Sequence, residues 1–161
     1  MRAKDIMNSP VVTVRPDDTV QEAARLMLQH EVSCLVVVDE KRHVAGILTH
    51  SDFGLHRKLV PLADNLYQML GSWADPKTVE DIAHKVAVRR VKDVMTREVE
   101  VVSEDEPVGA VVEKMLRRQV NRLPVVRDKE LVGIITRHDL LKLIAADKAL
   151  SSSRPEGTAN P

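Results

Sequence analysis

Gly46-Ile47-Leu48-Thr49-His50-Ser51-Asp52 and Gly133-Ile134-Ile135-Thr136-Arg137-His138-Asp139 are one pattern written twice, 87 residues apart. Each copy runs from a glycine through an apolar stretch into Thr-x-x-Asp, the form expected where a strand ends and a capped helix begins. Working back from it, Leu35-Val36-Val37-Val38 is matched by Leu123-Pro124-Val125-Val126 at a spacing of 88. The change in spacing places a one-residue shortening in the turn between the two runs, which is Asp39-Glu40-Lys41-Arg42-His43 in the first copy. Before these runs, Val20, Ala23, Ala24, Met27 and Leu28 recur at helical spacing and predict an amphipathic helix from Val20 to His30. Val108, Val111, Val112, Met115 and Leu116 repeat that face and predict a second helix from Val108 to Arg118. Earlier still stand the acidic turns Arg15-Pro16-Asp17-Asp18 and Ser103-Glu104-Asp105-Glu106. The openings of the two copies are Lys4-Asp5-Ile6-Met7 and Lys92-Asp93-Val94-Met95.

Each copy therefore reads as strand, helix, two strands joined by a charged turn, and a closing helix. Val36 to Val38 is a short continuous apolar run, which suits a strand covered on both faces. The class is a mixed α/β (α+β) fold of two β-α-β-β-α repeats, residues 1–57 and 88–147. Neither unit encloses its core easily alone, and two packed face to face leave clefts where they meet. Residues 58–87 read as a helical connector interrupted at Pro61, Gly71 and Pro76. Val79, Ile82, Ala83, Val86 and Ala87 give it one apolar face, expected to pack on the second unit or on another chain. Residues 148–161, rich in Ser, Pro and Gly, are expected to be disordered.

Composition narrows the function. The chain has 161 residues, with 24 Lys+Arg balanced by 24 Asp+Glu, so there is no global basic field for nucleic acid or anionic lipid. Aromatics are 2% of the chain, too few for a base-stacking platform, so nucleic acid is not an expected partner. The single cysteine, Cys34, has no partner for an internal disulfide, and the opening residues form no apolar span. A soluble, cytoplasmic protein is the expectation, with no membrane contact. No Ser-His-Asp set or glycine-rich phosphate loop is present, so no catalytic residues are assigned and the chain is read as a non-enzyme. His50, Asp52 and His56 lack a spacing that enforces ligand geometry, and no metal is expected. The densest basic stretch, Lys85, Arg89, Arg90 and Lys92, reads as a solvated face, with an RNA or subunit contact as the other possibilities.

Asp-Ile-Met, Thr-Val, an amphipathic helix, Leu-Val-Val-Val and Gly-Ile-Leu-Thr-x-x-Asp, in that order and twice over, closely resemble a pair of cystathionine-β-synthase (CBS) domains, a Bateman module. The resemblance covers about residues 1–57 and 88–147. It implies two repeats joined by their sheets about a pseudo-twofold axis, often as a disc-shaped homodimer. It also implies regulatory binding of an adenosyl ligand: AMP, ADP, ATP or S-adenosylmethionine, with NADH a further candidate. No cofactor is required, and the regulated partner protein is unknown.

The same resemblance places Asp52 and Asp139 on ribose hydroxyls, with Thr49 and Thr136 beside sugar or phosphate. It implies that each cleft borrows a wall from the opposite repeat. Asp52 then faces Asn121, Arg122, Leu123 and Pro124, while Asp139 faces Val32, Ser33 and Cys34. His50, Arg137 and His138 are candidate phosphate contacts, and Val102 and Val14 candidate adenine walls for the Asp52 and Asp139 sites respectively. The plainer reading is helix capping alone. Arg122 separates the two clefts, because a guanidinium binds phosphate in a bidentate way and Cys34, at the matched position, does not. A constitutive dimeric interaction or RNA-binding protein with empty clefts is the alternative function.

Overall fold

Strands form where the sequence runs apolar on both faces, and helices where it runs apolar on one. The computed structural model describes residues 1–53 and 76–146. In the first repeat, β1 (Thr13–Val14) leads to α1 (Val20–Gln29), then β2 (Cys34–Val38), β3 (Val44–Thr49) and α2 (His50–Phe53). After α3 (Pro76–Ala87) and the single turn α4 (Val91–Val94), the second repeat has β4 (Val102–Ser103), α5 (Val108–Arg118), β5 (Arg122–Arg127), β6 (Glu130–Thr136) and α6 (Arg137–Ala146). Each repeat carries a three-stranded sheet, ordered β1-β2-β3 and β4-β5-β6, with the first pair parallel and the second antiparallel. The tail 148–161 and the connector from 58 to 75 lie outside the described residues.

Local chemistry accounts for the element ends. Thr19 Oγ1 accepts from the Glu22 amide and caps α1. The charged turn after β2 closes as an aspartate turn, with Asp39 Oδ1 accepting from the Lys41 and His43 amides at 2.9 and 2.8 Å. The shorter second hairpin turns on Asp128 and Lys129, both with positive φ, 48° and 75°. That is the two-residue geometry whose twist matches antiparallel strands, and it explains the lost residue in the repeat spacing. Pro76, expected to interrupt the connector, instead begins α3, where a missing amide costs nothing.

Where the cores sit departs from the sequence repeats. The core of the first sheet holds Val14, Leu35, Val37 and Leu48 together with Val91, Val94 and Met95, the opening of the second repeat. The core of the second holds Val102, Leu123, Val125 and Ile135 together with Ala3, and Ile6 and Met7 pack on it. Each opening segment thus crosses to the other repeat, and the backbone pairing is reciprocal. Lys92 N donates to Pro16 O and Lys4 N to Glu104 O, both at 2.9 Å. Thr96 pairs with Ile47 on one side and Asn8 with Ile134 on the other. Each packed unit therefore combines one repeat with the opening segment of the other. Helix α3 was expected on the second unit or on another chain. It packs on α1, and Val86 meets the first core, because α4, three residues further on, is anchored there. Val36, Val38, Leu131 and Ile134 form a third cluster joining the two sheets.

Ion pairs guide each crossing: Lys92 Nζ lies 2.6 Å from Asp17 and Lys4 Nζ 2.8 Å from Asp105. The hydrogen bond from the lysine holds each of these carboxyls below its ordinary value. A carboxyl depressed on folding stabilises the native state above its unfolded pKa and loses that effect as pH falls through the folded pKa. Stability is therefore expected to fall more steeply below about pH 4 in the parent than in Lys92→Met, the two curves drawing together once pH has passed below the folded pKa of Asp17. Parallel acid slopes in equilibrium denaturation series at stepped pH would remove Asp17 from the account. The same contacts revise the basic stretch, since Arg90 donates to Asp17 O and Lys92 pairs with its carboxylate.

Candidate functional site

At the start of each closing helix the aspartate turns back on the threonine three residues before it. Asp52 Oδ2 accepts from Thr49 N at 2.7 Å and Thr49 Oγ1 at 2.9 Å. Asp139 Oδ2 accepts from Thr136 N and Oγ1, each at 2.8 Å. The carboxylate thus takes the threonine amide, one half of a capping box, and the threonine hydroxyl donates to the same oxygen. A hydroxyl spends one proton in donating and keeps its lone pairs for another donor.

A cavity of about 270 Å³ opens between the repeats on the Thr136 side. Val32, Ser33 and Cys34 of the first repeat form one wall, and Ile134 and Thr136 of the second form another. Pro10, Val11 and Val12 add an apolar side, with Asn8 and Glu31 as polar members. The volume is close to the lower end of ligand clefts, about 300 Å³.

Several expected positions move. Val14 and Val102 are 2% and 1% exposed and belong to the two cores, because inward-facing positions of β1 and β4 fill the repeats themselves. The apolar wall comes instead from Val11 and Val12, before the strand begins. Asp139, 5% exposed, stands behind the lining rather than on it. Arg137 and His138, expected at the Asp139 site, are outside this cavity's lining. Of the residues expected at the Asp52 site, Leu123 and Pro124 are buried and Asn121 O accepts from Arg137 N. His50 Nδ1 stands 3.4 Å from Ser33 O.

Arg122 crosses from the second repeat to donate from Nη2 to Ser33 Oγ at 3.1 Å, so the two expected walls touch. Burial pushes the Cys34 thiol up, and the neighbouring Arg122 partly opposes it. Such a thiol is a packed wall rather than a nucleophile. At the positions matching Glu31 and Cys34 the other side carries Gln119 and Arg122, with the backbone at 31 and 119 left-handed in both, φ 53° and 54°.

Asn8 was missed by the sequence reasoning. Its Nδ2 donates to Asp139 Oδ2 at 2.8 Å, across 131 residues of chain. The available signal is its place immediately after Lys-Asp-Ile-Met, where the second copy has Thr96.

The profile described as CBS domain matches residues 3–53 and 91–146. The chain is 38% identical to the solved CBS domain of a CBS domain containing membrane protein from Sphaerobacter thermophilus, with TM-score 0.73, covering 89% of this chain and 87% of that one. It is 28% identical, with TM-score 0.66, to a CBS domain pair solved in complex with 5′-methylthioadenosine and S-adenosyl-L-methionine, covering 92% of this chain and 98% of that one. It is 35% identical over 142 residues to inosine-5′-monophosphate dehydrogenase of Methanocaldococcus jannaschii, covering 88% of this chain but 23% of the enzyme. Among the described residues, no helix is long and apolar enough to cross a membrane.

Proposed function

The chain belongs to the CBS domain family, and from that premise we propose that it is a regulatory module that binds adenosyl ligands between its repeats. The observation that carries this reading is the cavity of about 270 Å³ walled by both repeats, with Thr136 on its lining and the Asp139 carboxylate directly behind. Val11, Val12, Val32 and Ile134 supply the apolar surroundings an adenine needs, and a carboxylate can accept protons from a ribose cis-diol. The solved pair that holds 5′-methylthioadenosine and S-adenosyl-L-methionine supports the ligand class.

The two sides differ in the charge they offer. The lining of the Asp139 cavity includes Glu31 and no Lys or Arg, and the nearest cation, Arg122, is engaged with Ser33 on its wall, which favours a nucleoside such as 5′-methylthioadenosine there. Gln119 and Arg122, at the positions matching Glu31 and Cys34, favour AMP, ADP or ATP on the Asp52 side. The ligand acts on a partner protein, or on a second copy in a homodimer, only through a difference in affinity between two arrangements of the repeats. The dehydrogenase's activity does not come with the likeness, which spans 23% of that enzyme. The RNA-binding alternative is weakened by the engagement of Arg90 and Lys92 with Asp17.

Calorimetric titration with AMP, ADP, ATP, NADH, S-adenosylmethionine and 5′-methylthioadenosine tests the proposal. Asp139→Ala is expected to lower 5′-methylthioadenosine affinity at least about tenfold, the scale of a lost charged hydrogen bond. Asp52→Ala is expected to do the same to the phosphorylated ligand. Saturation by none of the six, with the protein folded, would end the sensor reading.

A further inference from the structure

Among the described residues, Asp139 Oδ2 accepts hydrogen bonds from Thr136 N, Thr136 Oγ1 and Asn8 Nδ2, all at 2.8 Å. Two come from three residues away and are built into the helix start. The third arrives from the opening segment of the other repeat. Asn8 and Thr136 both line the cavity while Asp139 does not, so these two side chains stand between the cavity and the carboxylate. A ribose hydroxyl that is to donate to this oxygen must take the place of one of them; the Thr136 amide is fixed by the backbone and its hydroxyl sits at the same helix start, whereas the Asn8 amide reaches in from the other repeat. The replaceable donor is the Asn8 amide.

We propose that Asn8 is an internal competitor for the ligand: its side-chain amide occupies the ribose position on Asp139, and a nucleoside enters by displacing it. This rests on the adenosyl reading above and adds how that cleft is gated. The backbone of Asn8 stays paired with Ile134, N to O at 2.9 Å and O to N at 3.1 Å, so displacement is a side-chain swing rather than a loss of the strand contact. The swing is nonetheless felt along the opening segment. Met7, its neighbour, packs against Gly133, and Ala3 is fully buried in the second core. Ligand entry in the second repeat therefore acts on residues covalently continuous with the first. The device belongs to one cleft, since Thr96, at the matched position, makes no side-chain hydrogen bond to Asp52 among the described residues.

The full-length protein is titrated with 5′-methylthioadenosine as parent, Asn8→Ala and Asn8→Ser. The side-chain amide signal of Asn8, assigned by its absence from the variants, is followed by nitrogen-15 NMR. Affinity is expected to rise about tenfold in both variants, as the competing donor is removed. In the parent the Asn8 amide signal is expected to shift towards the solvent-exposed position as ligand saturates. Binding that is equal or weaker in both folded variants, with the Asn8 signal unmoved on saturation, would overturn the competitor while leaving the adenosyl site standing. Failure of parent and variants alike to bind, with the Asn8 signal unmoved, would overturn both.

Discussion

Gly46→Ala is expected to destabilise the protein by about 3 kcal/mol, by overpacking and loss of a strand contact. A β-carbon built on Gly46 stands 2.5 Å from Met95 Sδ and 2.9 Å from Thr96 O. Thr96 O is itself the acceptor for Ile47 N at 2.9 Å, and Thr96 N returns the bond to Ile47 O at 3.0 Å. The methyl group therefore pushes on a backbone that is already tied to the next residue of the same strand. Gly133→Ala meets the related methionine differently. The three atoms nearest its β-carbon all belong to Met7: Sδ, Cγ at 2.7 Å and Cβ at 3.0 Å. An unbranched thioether can turn aside where a carbonyl cannot, so the expected cost is about 1–2 kcal/mol. Two further variants separate the mechanisms. Met7→Ala is expected to offset part of the Gly133→Ala cost, giving a less than additive double mutant, whereas Met95→Ala should leave most of the Gly46→Ala cost in place. Urea unfolding midpoints for the parent, the four single variants and the two double variants decide it; equal costs at the two glycines, or full rescue at Gly46, would remove the carbonyl from the explanation.

Deleting residues 1–8 is expected to unfold the second repeat in preference to the first. The deletion takes Ala3 out of a core it shares with Val111, Met115, Leu123 and Ile135, and uncovers the same core by removing Ile6 and Met7. It also removes the Asn8–Ile134 pair and the Lys4–Asp105 ion pair. Partial burial of two large side chains and full burial of a small one amounts to roughly 4 kcal/mol, a large share of a domain's margin. Hydrogen exchange gives the spatial readout. Protection should be lost first across β4 to β6, more than 90 residues away in sequence from the deletion, while Thr13–Thr49 stays protected longer. Loss that begins in β1 to β3 would mean that the crossing of the opening segments is wrong.

The repeat, the helix faces and the strands were legible because each depends on residues a few positions apart. Val20 to Leu28 and Val108 to Leu116 show helical spacing in the sequence, and α1 and α5 occupy those stretches. Val36 to Val38 reads as covered on both faces, and all three residues are buried in β2. The family likeness followed from the same ordered motifs, and the profile match confirms it over 3–53 and 91–146. The site was legible in part. Thr136 and the wall Val32-Ser33-Cys34 meet at one cavity, but Val11 and Val12, not Val14, line it, because a two-residue strand turns Val14 into the core. For Asn8 the one sign was its place after Lys-Asp-Ile-Met, since its acceptor lies 131 residues on.

What the amino-acid sequence determined by itself is the duplicated strand-helix-strand-strand-helix order, the position of each Thr-x-x-Asp, and the charge difference between Cys34 and Arg122. All of these are properties of local spacing or of single residues. Only the tertiary structure decided which core each Lys-Asp-x-Met segment fills. Two copies with nearly the same local sequence have nearly the same local preferences, so nothing within a copy distinguishes covering itself from covering its twin. The choice is made by packing: Met7 fits over Gly133 and Met95 over Gly46, the opposite repeat in each case. That exchange brings Asn8 to Asp139, and with it the contact that places the first repeat's opening at the second repeat's cleft.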